Sequence, residues 1–518
     1  MGWRRTTLTA LLNAFALAAT LAVPASAAPE QPLGGCAAPQ AQQGLRGLWL
    51  ASVGNINWPR QQGQPADQVR AEYRELLDGA TQIRANAVFV QVRPTADALY
   101  PSPFEPWSHW LTGEQGKDPG WDPLAFAVQE AHARNLEFHA WFNPYRVSKQ
   151  ADITKLAPNH PARLHPDWVL RYGDGLYYDP GVPEVRELVE QVVLDVVRRY
   201  DVDGVHFDDY FYPYPVAGQQ LDDEQTYKRH GAATFPVKAD WRRDNVDRLV
   251  SELAARIKAA KPWVVFGVSP FAVWRNGKTD PTGSDTNAGI ETYDDLYADT
   301  RKWVRQRWID YVAPQTYWNI GFPAADYAKL LDWWSREVRG TGVSLYLGQA
   351  AYRIGTGVTP QWMDPEEMPR QLRLSSAVPE VAGHIYFQIH SVLANPLGFR
   401  DRLATDIYRT PALVPPRAAV PGWGQPVLPP VVERADGGQR VRIRPVGWPL
   451  PEPAYYAVYR AEGRGCPALL ATVRPDTSGN AVFLDRTTRP GTTYTYLVTA
   501  VDRGHHQGPA GRTRAVTT

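Results

Sequence analysis

Cysteine is nearly absent: Cys36 and Cys466 are the only two in 518 residues. A disulfide-dense scaffold and a cysteine zinc cluster are therefore both excluded, while a single Cys36–Cys466 bridge stays open. Charge of one sign is absent too. With 55 Lys+Arg against 54 Asp+Glu the net charge is +1, so no global field draws in nucleic acid, an acidic polymer or an anionic membrane. Beyond the N-terminus no apolar run reaches the length of a membrane span. What is present is turn-forming and aromatic: 46 Pro, 41 Gly, 19 Trp, 25 Tyr and 15 Phe. At 21% charged and 44% hydrophobic residues the chain reads as folded and loop-rich, with a length that suggests about two to four domains.

The N-terminus carries Arg4 and Arg5, an apolar run over 8–23, and Pro24-Ala25-Ser26-Ala27. This order of charge, apolar stretch and small-residue site reads as a signal peptide over 1–27, cleaved after Ala27. The mature chain is then expected outside the cytoplasm, secreted or in the cell envelope, without stable membrane insertion. Leu33-Gly34-Gly35-Cys36 faintly resembles a lipoprotein box, but it stands well downstream of the apolar run, so lipid anchoring at Cys36 is the secondary reading. Residues 28–44 read as a linker.

From 45 to 409, short apolar runs alternate with amphipathic stretches. Strands are predicted at 45–52, 87–93, 137–143, 204–209, 264–269, 311–317, 344–349 and 383–390, with helices such as 65–85, 122–134, 183–200, 241–260 and 324–338 between them. Eight such units predict an α/β fold of the (β/α)8 TIM-barrel type. No Gly-x-Gly-x-x-Gly follows a strand, which argues against a doubly wound dinucleotide-binding sheet. Residues 410–430 hold seven prolines, a stiff linker. The remaining 431–518 alternate as short strands of a small all-β sandwich, in which 455–460 and 494–502 resemble the C and F strands of a fibronectin type III module.

Active sites of such barrels lie at the carboxyl ends of the strands. Strand parity puts Val205 and Phe207 toward the helices, leaving His206, Asp208 and Tyr210 to face the barrel mouth, with Asp209 just past the strand. The same rule collects Gln91 and Arg93, His139 with Trp141 and Asn143, Gln315 with Tyr317, and His384, Tyr386, Gln388 and His390. A buried ion is costly unless paired or used, so Asp208 is the leading catalytic candidate, with a structural salt bridge to Arg93 as the alternative. Asp209 reads equally as catalytic or as a turn cap. Asn143, Gln315 and Gln388 can bind hydroxyl and amide groups but cannot serve as acid or base. Tyr145, Tyr210, Trp274 and Trp318 belong to a set of aromatics after successive strands, which suits sugar rings on flat apolar faces.

The segments Arg46-Gly47-Leu48-Trp49-Leu50-Ala51-Ser52, Phe138-His139-Ala140-Trp141-Phe142-Asn143-Pro144-Tyr145-Arg146, Asp203-Gly204-Val205-His206-Phe207-Asp208-Asp209-Tyr210 and Ala313-Pro314-Gln315-Thr316-Tyr317-Trp318 resemble the family 10 glycosyl hydrolase-like proteins. So do Glu105-Pro106-Trp107-Ser108 and Gly267-Val268-Ser269-Pro270-Phe271. The resemblance implies a secreted or envelope bacterial protein similar to glycosidases that cut peptidoglycan glycan strands, with only the strand-four aspartates carried over; no cofactor is expected. Asp203-Gly204-x-x-x-Asp208-x-Tyr210 is also similar to the chitinase strand-four pattern, with Tyr210 where that pattern has its proton-donating Glu.

Glycoside hydrolysis ordinarily uses two carboxylic groups. No other predicted strand ends in one, so the partner of Asp208 is expected from a loop: Glu105 and Asp179 first, then Asp97, Asp285 or Glu291. Substrate contacts are expected from Arg93, Asp97, Asn143, Tyr145, His206, Tyr210, Trp274, Gln315, Tyr317, Trp318 and Gln388. Two other classes remain: a barrel that binds glycan without cutting it, and a metal-dependent deacetylase. The latter needs a His/Asp cluster, whereas His384 and His390, placed on one strand, would stand about 20 Å apart.

Overall fold

The computed structural model describes Cys36, residues 41–417 and, apart from 418, 419, 421, 423 and 448–451, the rest of the chain to Thr518. The signal-peptide reading and, of the linker prolines, Pro421 lie outside the described residues. Eight parallel strands close a barrel in sequential order: β1 (Leu45–Leu50), β2 (Ala87–Arg93), β3 (Glu137–Phe142), β4 (Gly204–Phe207), β5 (Val265–Val268), β6 (Tyr311–Val312), β7 (Ser344–Gln349) and β8 (Val381–Tyr386).

Strand alternation sorts the side chains into two layers. Leu48, Leu50, Val88, Val90, Phe138, Val205, Phe207 and Phe266 face outward. They meet the helices α1 (Ala66–Gln82), α2 (Pro123–Ala133), α3 (Pro183–Arg199), α4 (Lys238–Ala260), α5 (Thr300–Gln306), α6 (Tyr327–Val338) and α7 (Glu367–Ser376). Asp122, Asp299 and Asp326 start three of these by accepting from the first-turn backbone N–H groups. Leu45, Trp49, Phe89, Trp141, Tyr311 and Ile385 fill the barrel interior. Two glycines make room there. A Cβ at Gly204 would stand 2.2 Å from His139 Nδ1, and one at Gly267 2.2 Å from the Tyr311 ring.

Several strands end a residue or two earlier than expected, and two end four or five residues early. β6 ends at Val312, because Pro314 cannot donate to a ladder; beyond it Gln315 keeps single bridges to Phe271 and Gly348. β8 ends at Tyr386, and Gln388 accepts from His390 N to open the helix α8 (Ile389–Leu393). His390 therefore sits on a helix and shares no strand with His384, correcting the placement of that pair.

After Thr410 the chain builds antiparallel sheets. One comprises Val431–Ala435, Gly438–Ile443 and Ala481–Asp485; the other is ordered Ala468–Val473, Tyr455–Glu462, Thr493–Val501, Gly511–Arg512. This module lies against the amino-terminal end of the barrel. Gln42–Gln43 pairs in parallel with Ala412–Leu413, and Arg503 holds Asp201 through both guanidinium nitrogens, at 2.6 and 3.1 Å. Cys36 and Cys466 form a disulfide across 430 residues, so the Cys36 thiol that lipid attachment would use is occupied.

Candidate active site

A cleft of about 240 Å³ opens at the carboxyl end of the barrel, lined by Trp49, Ala51, Val53, Ile56, Gln91, Trp141, Arg146, Asp208, Asp209, Tyr210, Ser269, Gln315, Tyr317 and Phe387. Its floor is His206, fully buried. Trp49 Nε1 donates to His206 Nε2 at 3.0 Å, and the other ring nitrogen lies 3.0 Å from the Tyr311 hydroxyl. Burial, with His139 nearby, holds His206 well below the usual histidine range, so it is a neutral hydrogen-bonding floor.

β4 delivers two carboxylates in succession. In a continuing strand they would point to opposite faces, but the strand ends at Phe207 and both turn into the cleft. Asp208 accepts from Trp141 Nε1 at 3.0 Å, from Asn143 Nδ2 at 3.1 and 3.2 Å, and from Tyr210 N at 3.3 Å. Asp209 accepts from the Tyr214 hydroxyl and from Gln315 Nε2 at 3.0 Å. Neither aspartate has an ion-pair partner among the described residues. Burial pushes Asp208 up to about 7, with Arg146 opposing and the Asp209 charge adding. Asp209 is raised as well, by burial, against the donors that hold it. A cleft that keeps one proton on a pair of acids near neutrality can supply general acid and base catalysis.

Arg146 lies over the Tyr210 ring at 4.6 Å, and its Nε has no hydrogen-bond partner. Gln91 Oε1 accepts from Ser52 N and Val53 N at 3.1 and 3.0 Å, which leaves its Nε2 unpartnered in the cleft wall. Both are donors suited to substrate hydroxyl or amide oxygens. The described residues bring no group of three His, Cys, Asp or Glu together in a metal-binding arrangement.

Of the residues expected from sequence, the structure brings Asp208, Asp209, Asn143, His206, Tyr210, Gln315 and Tyr317 together in or directly beneath the cleft. The loop acids are held elsewhere. Glu105 is sealed in a two-pronged ion pair with Arg93, whose guanidinium also donates to Asn143 O and Pro144 O. Asp179 accepts from Thr226 Oγ1 at 2.5 Å and Gly181 N at 2.9 Å. Asp97 accepts from Thr95 Oγ1 and Gln115 Nε2, both at 3.1 Å. Asp285 pairs with Lys329, and Glu291 accepts from Asn276. Arg93 is thus spoken for by Glu105 and makes no bridge to Asp208.

Several aromatics are packing residues. Tyr145 is buried in the outer layer. Trp274 donates to Asp299 Oδ1 and stacks on Trp333 at 6.1 Å, and Trp318 meets Phe271 edge-on outside the cleft lining. Gln388 serves α8 and accepts from Asn57. Conversely, Trp49, Arg146, Ser269 and Phe387 line the cleft without having been singled out. Parity along β1 could have found Trp49; nothing local distinguishes Phe387 from a core phenylalanine.

A family model described as Glycosyl hydrolase-like 10 matches residues 44–364. The chain is 50% identical over 477 residues to Glycosyl hydrolase YngK of Bacillus subtilis, covering 91% of this chain and 93% of that protein. To Glycosyl hydrolase DigH of Escherichia coli K12 it is 43% identical over 370 residues, covering 67% of this chain and 84% of that protein. Among solved structures, the PgaB (BpsB) glycoside hydrolase domain from Bordetella bronchiseptica aligns at 13% identity and a TM-score of 0.44, over 69% of this chain and 98% of that one.

Proposed function

This chain belongs to the glycosyl hydrolase-like 10 family and is a glycoside hydrolase; we propose that it acts outside the cytoplasm on a bacterial cell-wall polysaccharide, the glycan strands of peptidoglycan, with Asp208 and Asp209 as its catalytic carboxylates. The observation that carries this reading is the pair itself: two buried acids without cation partners, side by side at the mouth of a barrel whose cleft is walled by Trp49, Trp141, Tyr210, Tyr317 and Phe387. An uncompensated buried acid is costly to the fold and is retained where its proton is used.

The aromatic walls supply flat apolar faces for sugar rings, and Arg146 and Gln91 supply donors for hydroxyl and acetamido oxygens. Support for the extracytoplasmic setting comes from the signal-like N-terminus and from the Cys36–Cys466 disulfide, which suits an oxidising compartment. The 431–518 module, read as fibronectin type III-like, serves as a cap and spacer at the far end of the barrel.

Purified mature protein is expected to release soluble fragments from peptidoglycan stripped of its peptides, and Asp208→Asn to lose that release while keeping its circular dichroism and Tm. Retention of glycan without any shortening would replace the hydrolase reading with a binding one.

A further inference from the structure

We propose that the nucleophile in this cleft is the substrate's own 2-acetamido carbonyl oxygen, with Asp208 holding the acetamido N–H and Asp209 acting as the acid and then the base. The inference rests on the glycosidase reading above and specifies which sugars that site cuts.

Hydrolysis by two protein carboxylates needs them on opposite sides of the scissile bond, about 5–5.5 Å or 6.5–9.5 Å apart. Here the carboxylates lining the cleft, among the described residues, are Asp208 and Asp209, consecutive residues on one wall. In the eight-strand order β8 lies diametrically across from β4, and what stands beyond its end is Phe387, beside Trp49 and Ile56. That wall offers no nucleophile. The loop acids that could have crossed over are committed to Arg93, Thr226 and Thr95.

The two aspartates differ in how they are held. Asp208 is fixed by donors on both oxygens, from Trp141, Asn143 and Tyr210 N. Asn143 shares one amino group between the two oxygens, so the carboxylate is held in a fixed direction at the cleft and a substrate amide N–H can take over one of those two contacts. Trp141, donating to the same group, gives the acetamido methyl an apolar face. Asp209 has two donors, Tyr214 and Gln315, and is the less buried of the two, at 7% against 3% exposure. It can reach a leaving oxygen and, later, a water. When an amide N–H donates to Asp208 it favours the anion there, so the proton shared by the pair resides on Asp209.

In the first step the acetamido oxygen bonds to C1 as the C1–O glycosidic bond breaks. The bond's electron pair leaves on the departing oxygen, which takes the Asp209 proton, while the amide proton passes along its hydrogen bond to Asp208, leaving a neutral oxazoline. In the second step a water oxygen bonds to C1 and gives a proton to Asp209. The C1–oxazoline oxygen bond returns its pair to the amide, which recovers its proton from Asp208. One water is consumed and the anomeric configuration is retained.

The test uses the full mature chain and oligosaccharides of 2-amino sugars re-acylated with acetyl, monofluoroacetyl or trifluoroacetyl groups. Each fluorine weakens the carbonyl oxygen as a nucleophile, so kcat/KM is expected to fall stepwise, by a hundredfold or more for the trifluoroacetyl oligomer, and a thiazoline analogue of the oxazoline should inhibit competitively. With a dinitrophenyl leaving group, which needs no proton, Asp209→Asn should retain at least a tenth of the wild-type kcat/KM, which reports the first step, while its kcat falls as the second step loses its base; Asp208→Asn should lose kcat/KM as well. Rates indifferent to fluorination, or a 2-fluoro glycoside trapped covalently on an aspartate, overturn acetamido participation and leave the hydrolase standing. No cleavage of the acetylated oligomer or of stripped peptidoglycan overturns both.

Discussion

The two ends of the barrel treat buried carboxylates in opposite ways. At the amino-terminal end Glu137, the first residue of β3, accepts from Arg417 and from His505 Nε2 at 2.6 Å, and lies 3.1 Å from His139. Burial alone would raise its pKa, yet Arg417 and His505 hold it well below the usual range. Asp203 beside it is likewise lowered, by His132 and Arg474 against its burial. At the carboxyl end Asp208 and Asp209 receive only neutral donors and are pushed up. Carboxylates thus serve as mortar at one end, where Arg417 of the connecting segment and Arg474 of the C-terminal module complete them; at the other end, on the function proposed above, they serve as reagents, and a complementary cation there would abolish the proton they must keep.

The contrast can be broken most strongly through activity. Asp208→Asn and Asp209→Asn are each expected to lower kcat/KM on stripped glycan by about a thousandfold, roughly 4 kcal/mol of barrel-mouth chemistry, while the melting curve moves by only a few degrees. Glu137→Ala should do the reverse. Removing one member of a buried ion cluster costs about 3–5 kcal/mol because Arg417 is left without its counter-charge. Denaturant unfolding should register that loss, and kcat of the remaining folded enzyme should match wild type.

A third test separates the ends by pH. On the proposed mechanism one proton on the aspartate pair is required for cleavage, and burial pushes Asp208 up to about 7. The free enzyme's kcat/KM should therefore fall about tenfold per pH unit above that point, measured on a soluble oligomer. Stability should respond at the opposite extreme. Glu137 is depressed in the folded state, so its contribution is present above its unfolded pKa of about 4.3 and is lost as pH falls below it. A titration of Tm is expected to drop more steeply below about pH 4.5 in wild type than in Glu137→Gln.

Much of this was legible in the sequence, for a reason that also marks where legibility stopped. Strand alternation is a local property, so the period of two in 204–209 was enough to turn His206 and Asp208 inward and Val205 and Phe207 outward. The eight-fold βα rhythm was equally local, and the barrel followed from it. Loop acids carry no such periodicity. Glu105 and Asp179 sat at sensible distances along the chain from strand ends, but their direction depends on tertiary partners, Arg93 for one and Thr226 for the other. The Glu137 cluster was out of reach because it joins residues 280 and 368 positions apart. Arg146 and Phe387 enter the cleft only because β3 and β8 end where they do, a boundary that sequence places to within a few residues.

The smallest expected effect is also the one that most directly asks whether Asp208 is a reagent. A carboxyl whose folded pKa is raised binds its proton more tightly in the native state than in the unfolded chain, where the value is near 3.9. Its favourable contribution is complete below that pH and is lost as pH rises from about 4 to about 7, because the native protein must then either hold a buried anion or unfold. Asparagine keeps the shape and never ionises. Asp208→Asn should accordingly match wild type in Tm near pH 4 and exceed it near pH 8 by about a degree, about 1 kcal/mol once the Trp141 and Asn143 donors that favour the anion are lost to the amide. Glu137→Gln should show the mirror image, a deficit at pH 7 that shrinks as pH falls below 4.5. A protein that used both carboxylates for architecture would lose stability at both sites at pH 8; a gain at Asp208 alone means that the fold carries this acid against its own interest, as a group kept for chemistry.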